Sequence, residues 1–332
     1  NIPLPGDGGI LHLPDLGNLP ETLMPAPFPL DHLLASLRPL AAAGEPGPHD
    51  EHYQRFYGFD RLGLPGRLGL LEVGDYRIAV QLWRPPTPRA SLILLHGYYD
   101  HSGLYRHVIE WALRRQFAVL AVDLPGHGLS SGERASIGDF AEYQAVLDAA
   151  LIEAAALELP APWHLCGQST GAAILLDHRL HAAAHPSLGE TVLLAPLVRP
   201  RSWGWSQLSY RLLSPFVTEI PRRFSINSGD AAFIDFVHNQ DPLQPRSLPT
   251  AWVGALSRWV PRIEAAPRSA RSPLIIQGEA DMTVAWQHNL EVLQSKFAAP
   301  QILRLAEARH HLANEAPALR QRYFEFLSQR LS

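Results

Sequence analysis

The sequence predicts an α/β fold: a mostly parallel, eight-stranded sheet flanked by helices, with a mainly helical insertion late in the chain. Three observations carry this expectation. From about residue 60 onward, short apolar runs alternate with helix-length patterns, the order produced when parallel strands are joined by crossover helices. The alternation stops over residues 196–268 and resumes at Pro273. Finally, the apolar run Trp163-His164-Leu165-Cys166 leads into Gly167-Gln168-Ser169-Thr170-Gly171 and then into the helical Ala172-Ala173-Ile174-Leu175-Leu176. Strand, tight glycine turn and helix is a geometry that lifts a serine hydroxyl above the edge of a sheet.

The elements follow in order. Residues 1–50 are rich in Pro and Gly, with one short helical pattern at Leu30-Asp31-His32-Leu33-Leu34. They are expected to form an N-terminal extension without a core of its own, wrapped on the surface. Residues 68–73 and 76–83 suit an opening hairpin that turns at Gly74-Asp75. Ser91-Leu92-Ile93-Leu94-Leu95 reads as a buried strand, and residues 118–122 and 191–194 suit parallel core strands. Over 60–195 the order is strand, strand, strand, helix, strand, helix, strand, helix, strand. The core is therefore expected to comprise 60–195 and 269–332. Residues 196–268 hold Trp203, Trp205, Trp252 and Trp259 among helical patterns and prolines, and are predicted to form a helical cap with no strand.

Gly-x-Ser-x-Gly alone is a weak signal, since Gly128-Leu129-Ser130-Ser131-Gly132 also satisfies it. Pro125-Gly126-His127 precedes that second copy, a loop signal with no helix directly behind it. Ser130 is rejected and Ser169 kept as the candidate nucleophile. A serine needs a base, and the base needs an orienting carboxylate. Pro273-Leu274-Ile275-Ile276-Gln277 reads as a core strand followed by Gly278-Glu279-Ala280-Asp281. Gln301-Ile302-Leu303-Arg304-Leu305 alternates like a strand and is followed by Ala308-Arg309-His310-His311. Asp281 and His310 are the natural partners, with Glu279 the runner-up acid and His311 the runner-up base. The strand ending at Leu95 leads into His96-Gly97-Tyr98, where the Tyr98 N–H would pair with the N–H of Thr170 to form an oxyanion hole. His96 and His101 read as loop-bracing histidines. No histidine shows the paired spacing of a zinc site, Cys166 stands alone, and neither a metal nor a cofactor is expected.

His96-Gly97-x-x-x-His101-Ser102-Gly103-x-Tyr105 resembles the monoglyceride lipase and lysophospholipase branch of the α/β hydrolases. So do Asp123-Leu124-Pro125-Gly126-His127-Gly128-x-Ser130-x-Gly132-Glu133-Arg134 and, in the cap region, Asp241-Pro242-Leu243. The segment His310-x-Leu312-x-Asn314-Glu315 is similar to that branch's catalytic-histidine motif, and this favours His310 over His311. The resemblance runs from about residue 60 to the end. It implies the α/β-hydrolase fold, a triad at Ser169, Asp281 and His310, and an oxyanion hole at Tyr98 and Thr170. Two departures stand out. Tyr98 replaces a usually small residue, which narrows the acyl site. Gln168 and Thr170 replace the commoner His and Met of the elbow, which leaves mechanism untouched and bears on substrate preference.

Composition narrows the field. A chain of 332 residues can bury a substantial core, and a net charge of −4 with scattered arginines gives no stripe for nucleic acid. There is no run of 18 apolar residues to span a membrane. The chain opens on Asn1 rather than Met, so a missing or processed leading piece is expected. A cytoplasmic or peripheral membrane location is expected, with an exported form left open. The aromatic cluster of the cap, with Trp203, Trp205 and Phe216 joined by Tyr98, is the candidate substrate-binding surface and a candidate membrane contact. The expected activity is hydrolysis of single-chain lipid esters, monoacylglycerols or lysophospholipids, through an acyl-enzyme. The alternatives are a carboxylesterase or peptidase for small soluble substrates, and a receptor that keeps the fold but turns over poorly. The intact Ser, Asp and His argue against the receptor.

Overall fold

The computed structural model describes residues 29–331. Ten strands follow in chain order. β1 (Arg67–Val73), β2 (Tyr76–Trp83), β3 (Ala90–Leu95), β4 (Phe117–Val122), β5 (Trp163–Gln168) and β6 (Leu188–Leu194) come first. The short β7 (Glu219–Pro221) and β8 (Ser247–Pro249) then lie within an insertion, and β9 (Leu274–Gly278) and β10 (Gln301–Leu305) close the series. Eight of them build one sheet in the order β1-β2-β4-β3-β5-β6-β9-β10. β2 pairs antiparallel with both β1 and β4, and every other neighbouring pair is parallel. The hairpin register, Val73 opposite Tyr76, puts the turn at Gly74-Asp75 as expected.

Helices cover both faces. In chain order they are α1 (Leu30–Ser36), α2 (Pro48–Phe56), α3 (Arg106–Arg114), α4 (Phe140–Ala156), α5 (Thr170–His181) and α6 (Trp203–Leu213). They continue with α7 (Ala231–Asp235), α8 (Thr250–Ala265), α9 (Trp286–Lys296) and α10 (Pro317–Ser328). A strand covered on both sides needs apolar residues at every position, and β4 (Phe-Ala-Val-Leu-Ala-Val) is buried throughout. Its alternate residues feed two cores. Ala118, Leu120 and Val122 pack with α4, α5, α8 and α9, whereas Phe117, Val119 and Ala121 pack with α2, α3 and α10. A capping box fixes the start of α4: Asp139 Oδ1 accepts from the Ala141 N–H and Glu142 Oε1 from the Asp139 N–H.

Most of the predicted N-terminal extension, residues 1–28, lies outside the described residues. From residue 29 on, the segment packs onto the main body, with Leu33, Leu40 and Tyr53 fully buried. The Leu70 N–H of β1 donates to Arg38 O at 2.8 Å. Helix α2 was not expected from the sequence; it starts at Pro48 and buries only Tyr53 and Gln54, too few residues for a periodic signal. The insertion between β6 and β9 also needs a correction, because it is not free of strand. β7 and β8 pair antiparallel over three residues each, Glu219 opposite Pro249. Strands so short, each ending in proline, leave no alternation to read.

Candidate active site

β5 ends at Gln168, and Ser169 follows at φ 52° and ψ −106°, a conformation that residues with a side chain rarely adopt. The flanking glycines explain why the chain is forced there. A Cβ on Gly167 would lie 2.4 Å from the Gly171 carbonyl carbon, and one on Gly171 would lie 2.4 Å from the Leu95 carbonyl oxygen. Both obstacles are backbone, so neither gap admits a side chain. α5 is thereby pressed against the ends of β3 and β5, and the turn between them holds Ser169 from both sides. Its N–H donates to Leu194 O at 2.8 Å, and its carbonyl accepts from Ala173 at 2.9 Å and Leu197 at 3.3 Å.

Asp281 and His310 reach the same end of the sheet from the loops after β9 and β10. Asp281 Oδ1 accepts from the N–H groups of Thr283 (2.7 Å) and Val284 (3.1 Å). Its Oδ2 accepts from His310 Nδ1 at 2.7 Å and from Gln277 Nε2 at 3.3 Å. Burial alone would raise the carboxyl pKa, but the His310 charge and these hydrogen bonds outweigh it and hold it below the usual range. The same contest runs the other way at His310: burial pulls the imidazole down, while the Asp281 charge and hydrogen bond win and push it above its ordinary value near 6.5. The pairing fixes the ring so that Nε2 is free for Ser169. No Ser169 Oγ–His310 Nε2 hydrogen bond is formed among the described residues, although both side chains line one cavity of about 250 Å³. Such contacts are often long in unliganded sites and tighten when substrate binds.

Gln168 has a role that residue-by-residue reading missed. Its Nε2 donates to His310 O at 2.8 Å, and its Oε1 accepts from the Ala313 N–H at 3.4 Å. The side chain ties the serine turn to the histidine loop and does not line the cavity. The expected runners-up have other work. Glu279 pairs with Arg304 at 2.6 Å. His311 lies 3.1 Å from Asp100 Oδ2, with its ring 4.6 Å from that of Phe233. Ser130 Oγ donates to Asp123 O and accepts from the Ala79 N–H, so its hydroxyl is fully engaged.

Tyr98 follows β3, and among the described residues neither its backbone N–H nor that of Thr170 meets an acceptor. Gly97 brings this segment alongside the serine: a Cβ there would sit 3.4 Å from Ser169 Cβ. His96 and His101 brace loops: His96 Nε2 accepts from the Leu124 N–H (2.8 Å), and His101 Nε2 lies 2.9 Å from Asp241 Oδ2. The Tyr98 ring lines the cavity, stacked on Trp252 with centroids 3.8 Å apart, and its hydroxyl donates to Ala135 O. The other three residues expected to bind substrate are elsewhere. Trp203 is buried in the core, while Trp205 is 72% and Phe216 85% exposed, and none of them lines the cavity. The residues that the insertion contributes instead include Arg222, Arg223, Val237, Leu248 and Trp252.

Residues 86–317 match the family described as serine aminopeptidase, S33. The chain belongs to that family of serine hydrolases. This α/β hydrolase is 30% identical to the monoglyceride lipase of Mus musculus, across 72% of this chain and 80% of the mouse protein. Identity to the monoglyceride lipase of Homo sapiens is 29%, across 73% of this chain and 82% of the human protein. A solved structure of a soluble variant of monoglyceride lipase from Saccharomyces cerevisiae superposes with a TM-score of 0.68. It covers 80% of this chain and 94% of the yeast chain at 16% identity, a likeness of fold.

Proposed function

We propose that this serine hydrolase cleaves esters of single-chain lipids, monoacylglycerols or lysophospholipids, through an acyl-enzyme on Ser169. The observation that carries this reading is the convergence of the strained Ser169, the His310–Asp281 pair and two acceptor-less N–H groups on one cavity walled by Tyr98 and Trp252. His310 Nε2 takes the proton as Ser169 Oγ attacks the ester carbonyl, and Asp281 stabilises the imidazolium that forms. The Tyr98 and Thr170 N–H groups hold the oxyanion, each such donor being worth about 3 kcal/mol. Collapse breaks the ester C–O bond, and the alcohol leaves with the proton from His310. Water then gives a proton to His310, attacks the acyl carbonyl and releases the fatty acid, with the proton returning to Ser169. In this reading residues 1–50 are an N-terminal extension, 60–195 and 269–332 form the catalytic body, and 196–268 form a cap over it.

An ester series of rising acyl length tests the substrate class. Each methylene buried in an apolar site is worth about 0.8 kcal/mol, or close to fourfold in kcat/KM. Specificity should climb with length until the cavity is full and then level off. A small-substrate esterase would peak at two to four carbons (about the size of an acetyl or butyryl group) and decline at once. Because the Tyr98 ring fills part of the wall, Tyr98→Ala should move the optimum to longer chains while sparing the backbone N–H. An unmoved optimum would place the acyl chain elsewhere.

No helix of the described residues is long and apolar enough to cross a membrane. We place peripheral contact on α6 and the residues after it, which expose Trp205, Leu208, Leu212 and Phe216. Wild-type protein should co-sediment with phosphatidylcholine vesicles. Exchanging Trp205 and Phe216 together for Ala should weaken that binding by about tenfold or more, as two aromatic anchors are lost. Equal sedimentation of the two proteins would move the contact off this helix.

A further inference from the structure

We infer that the cavity favours an ester whose alcohol carries a phosphate, and that Arg222 and Arg223 recognise it. The inference rests on the proposed single-chain lipid substrate and names its headgroup. Arg222 and Arg223, two residues whose side chains are always protonated, line the same cavity as Ser169 and His310, against one carboxylate, Asp100. That carboxylate is already engaged: the Tyr105 hydroxyl donates to Asp100 Oδ2 at 2.9 Å, and His311 is beside it. No ion pair among the described residues involves Arg222 or Arg223. A cation withdrawn from water without a carboxylate partner is costly unless a ligand or an aromatic face offsets the loss.

Arg222 is held in place rather than left free. Its guanidinium stacks 4.1 Å from the Tyr99 ring centroid and 4.3 Å from that of Phe224. Its Nη1 donates to Gln244 Oε1 at 2.7 Å and to Pro245 O at 3.2 Å. The Tyr99 ring in turn lies 4.2 Å from Tyr98, which stacks on Trp252. A continuous ribbon of rings therefore runs from the apolar Trp252, past the residue proposed to supply one oxyanion donor, to a cation with no ion-pair partner among the described residues. An amphiphile with its acyl chain against Trp252 and Tyr98 would turn its alcohol side toward Arg222. Neutral glycerol makes no use of a positive charge there. A phosphate accepts several charge-assisted hydrogen bonds from a fork-shaped guanidinium.

The test compares three water-soluble esters: 1-hexanoylglycerol, 1-hexanoylglycerol 3-phosphate, and a glycerol monoester of adipic acid, which carries its anion at the acyl end. Wild-type kcat/KM should favour the phosphate over the neutral ester by about tenfold or more, as charge-assisted contacts allow. That ratio should shrink toward one in Arg222→Gln, in Arg223→Gln and in rising salt. Arg223 is exposed and makes no hydrogen bond among the described residues, so its variant reports even if the loss of Arg222 disturbs the fold. As a separate readout, glycerol 3-phosphate should inhibit hydrolysis of the neutral ester competitively in the wild type. Equal kcat/KM for the neutral and phosphate esters, or a preference that survives both substitutions, would overturn the inference and leave the lipid-ester reading standing. A preference for the adipic ester over the phosphate would also overturn it, by putting the anion at the acyl end. If none of the three esters turns over while Ser169 still reacts with a fluorophosphonate, the lipid-ester reading fails and takes this inference with it.

Discussion

Ser169→Ala should reduce ester hydrolysis by a factor on the order of 10⁶, to the residual level that binding and oxyanion stabilisation alone sustain. The substitution removes one oxygen and keeps the Cβ, so it asks nothing new of the backbone at φ 52°. The turn is held by the Gly167 and Gly171 contacts and by three backbone hydrogen bonds at Ser169, none of which involves the hydroxyl. Thermal unfolding should therefore be close to wild type, which separates lost chemistry from lost fold. A fluorophosphonate should modify Ser169 and leave Ser130 untouched, because the Ser130 hydroxyl donates to Asp123 O and accepts from the Ala79 N–H. Peptide mapping of the labelled protein checks this directly. Label that persists in Ser169→Ala would mean that another residue attacks the ester.

What could be read in advance follows from which forces act locally. The core strands were legible because burial on both faces demands unbroken apolar runs, as in β4, and such runs need no knowledge of partners. The candidate triad was legible for a related reason. Each of its residues sits in the loop or turn that follows a strand, so strand prediction and residue chemistry together locate it. Features made by tertiary contact were not legible. In sequence Gln168 reads as a substitution that bears on substrate preference, yet its amide bonds to the carbonyl of His310, 142 residues away. His101 and Asp241 belong to two separate sequence motifs. The structure joins them at 2.9 Å, with the Tyr57 hydroxyl donating to the other Asp241 oxygen.

The aromatic residues of the insertion show where composition stops being informative. Trp203, Trp205 and Phe216 form a cluster in sequence, but a cluster does not say which face of a helix meets the cavity. α6 turns Trp203 into the core and leaves Trp205 in solvent, and it is Trp252 of α8 that stacks on Tyr98. Arg222 carried no sequence signal beyond its charge. Its seat between Tyr99 and Phe224 exists only once β7 and β8 pair and bring Gln244 and Pro245 beside it.

Replacing His310 by Ala should lower kcat on the order of 10⁴-fold or more, since a serine hydroxyl without a base is a poor nucleophile. His311→Ala should cost far less, because His311 sits against Asp100 and Phe233 rather than on Asp281. A reversal of the two effects would shift the base by one residue. The pH profile adds a test of the carboxylate. Only neutral imidazole can take the serine proton, and Asp281 favours the charged form, so the folded pKa lies above the ordinary value near 6.5. Activity should therefore rise with pH through a midpoint above that value, read as kcat/KM of the free enzyme. Asp281→Asn removes the charge and leaves burial as the largest remaining influence on His310, which lowers its pKa. The variant should lose on the order of 10⁴-fold in kcat as the correct tautomer is no longer enforced. What activity remains should have its acid midpoint displaced to lower pH. Glu279→Gln, whose native carboxylate pairs with Arg304, should leave both rate and midpoint near wild type. A midpoint that stayed put in Asp281→Asn would show that another group sets the charge on His310, and the Asp281 assignment would fall.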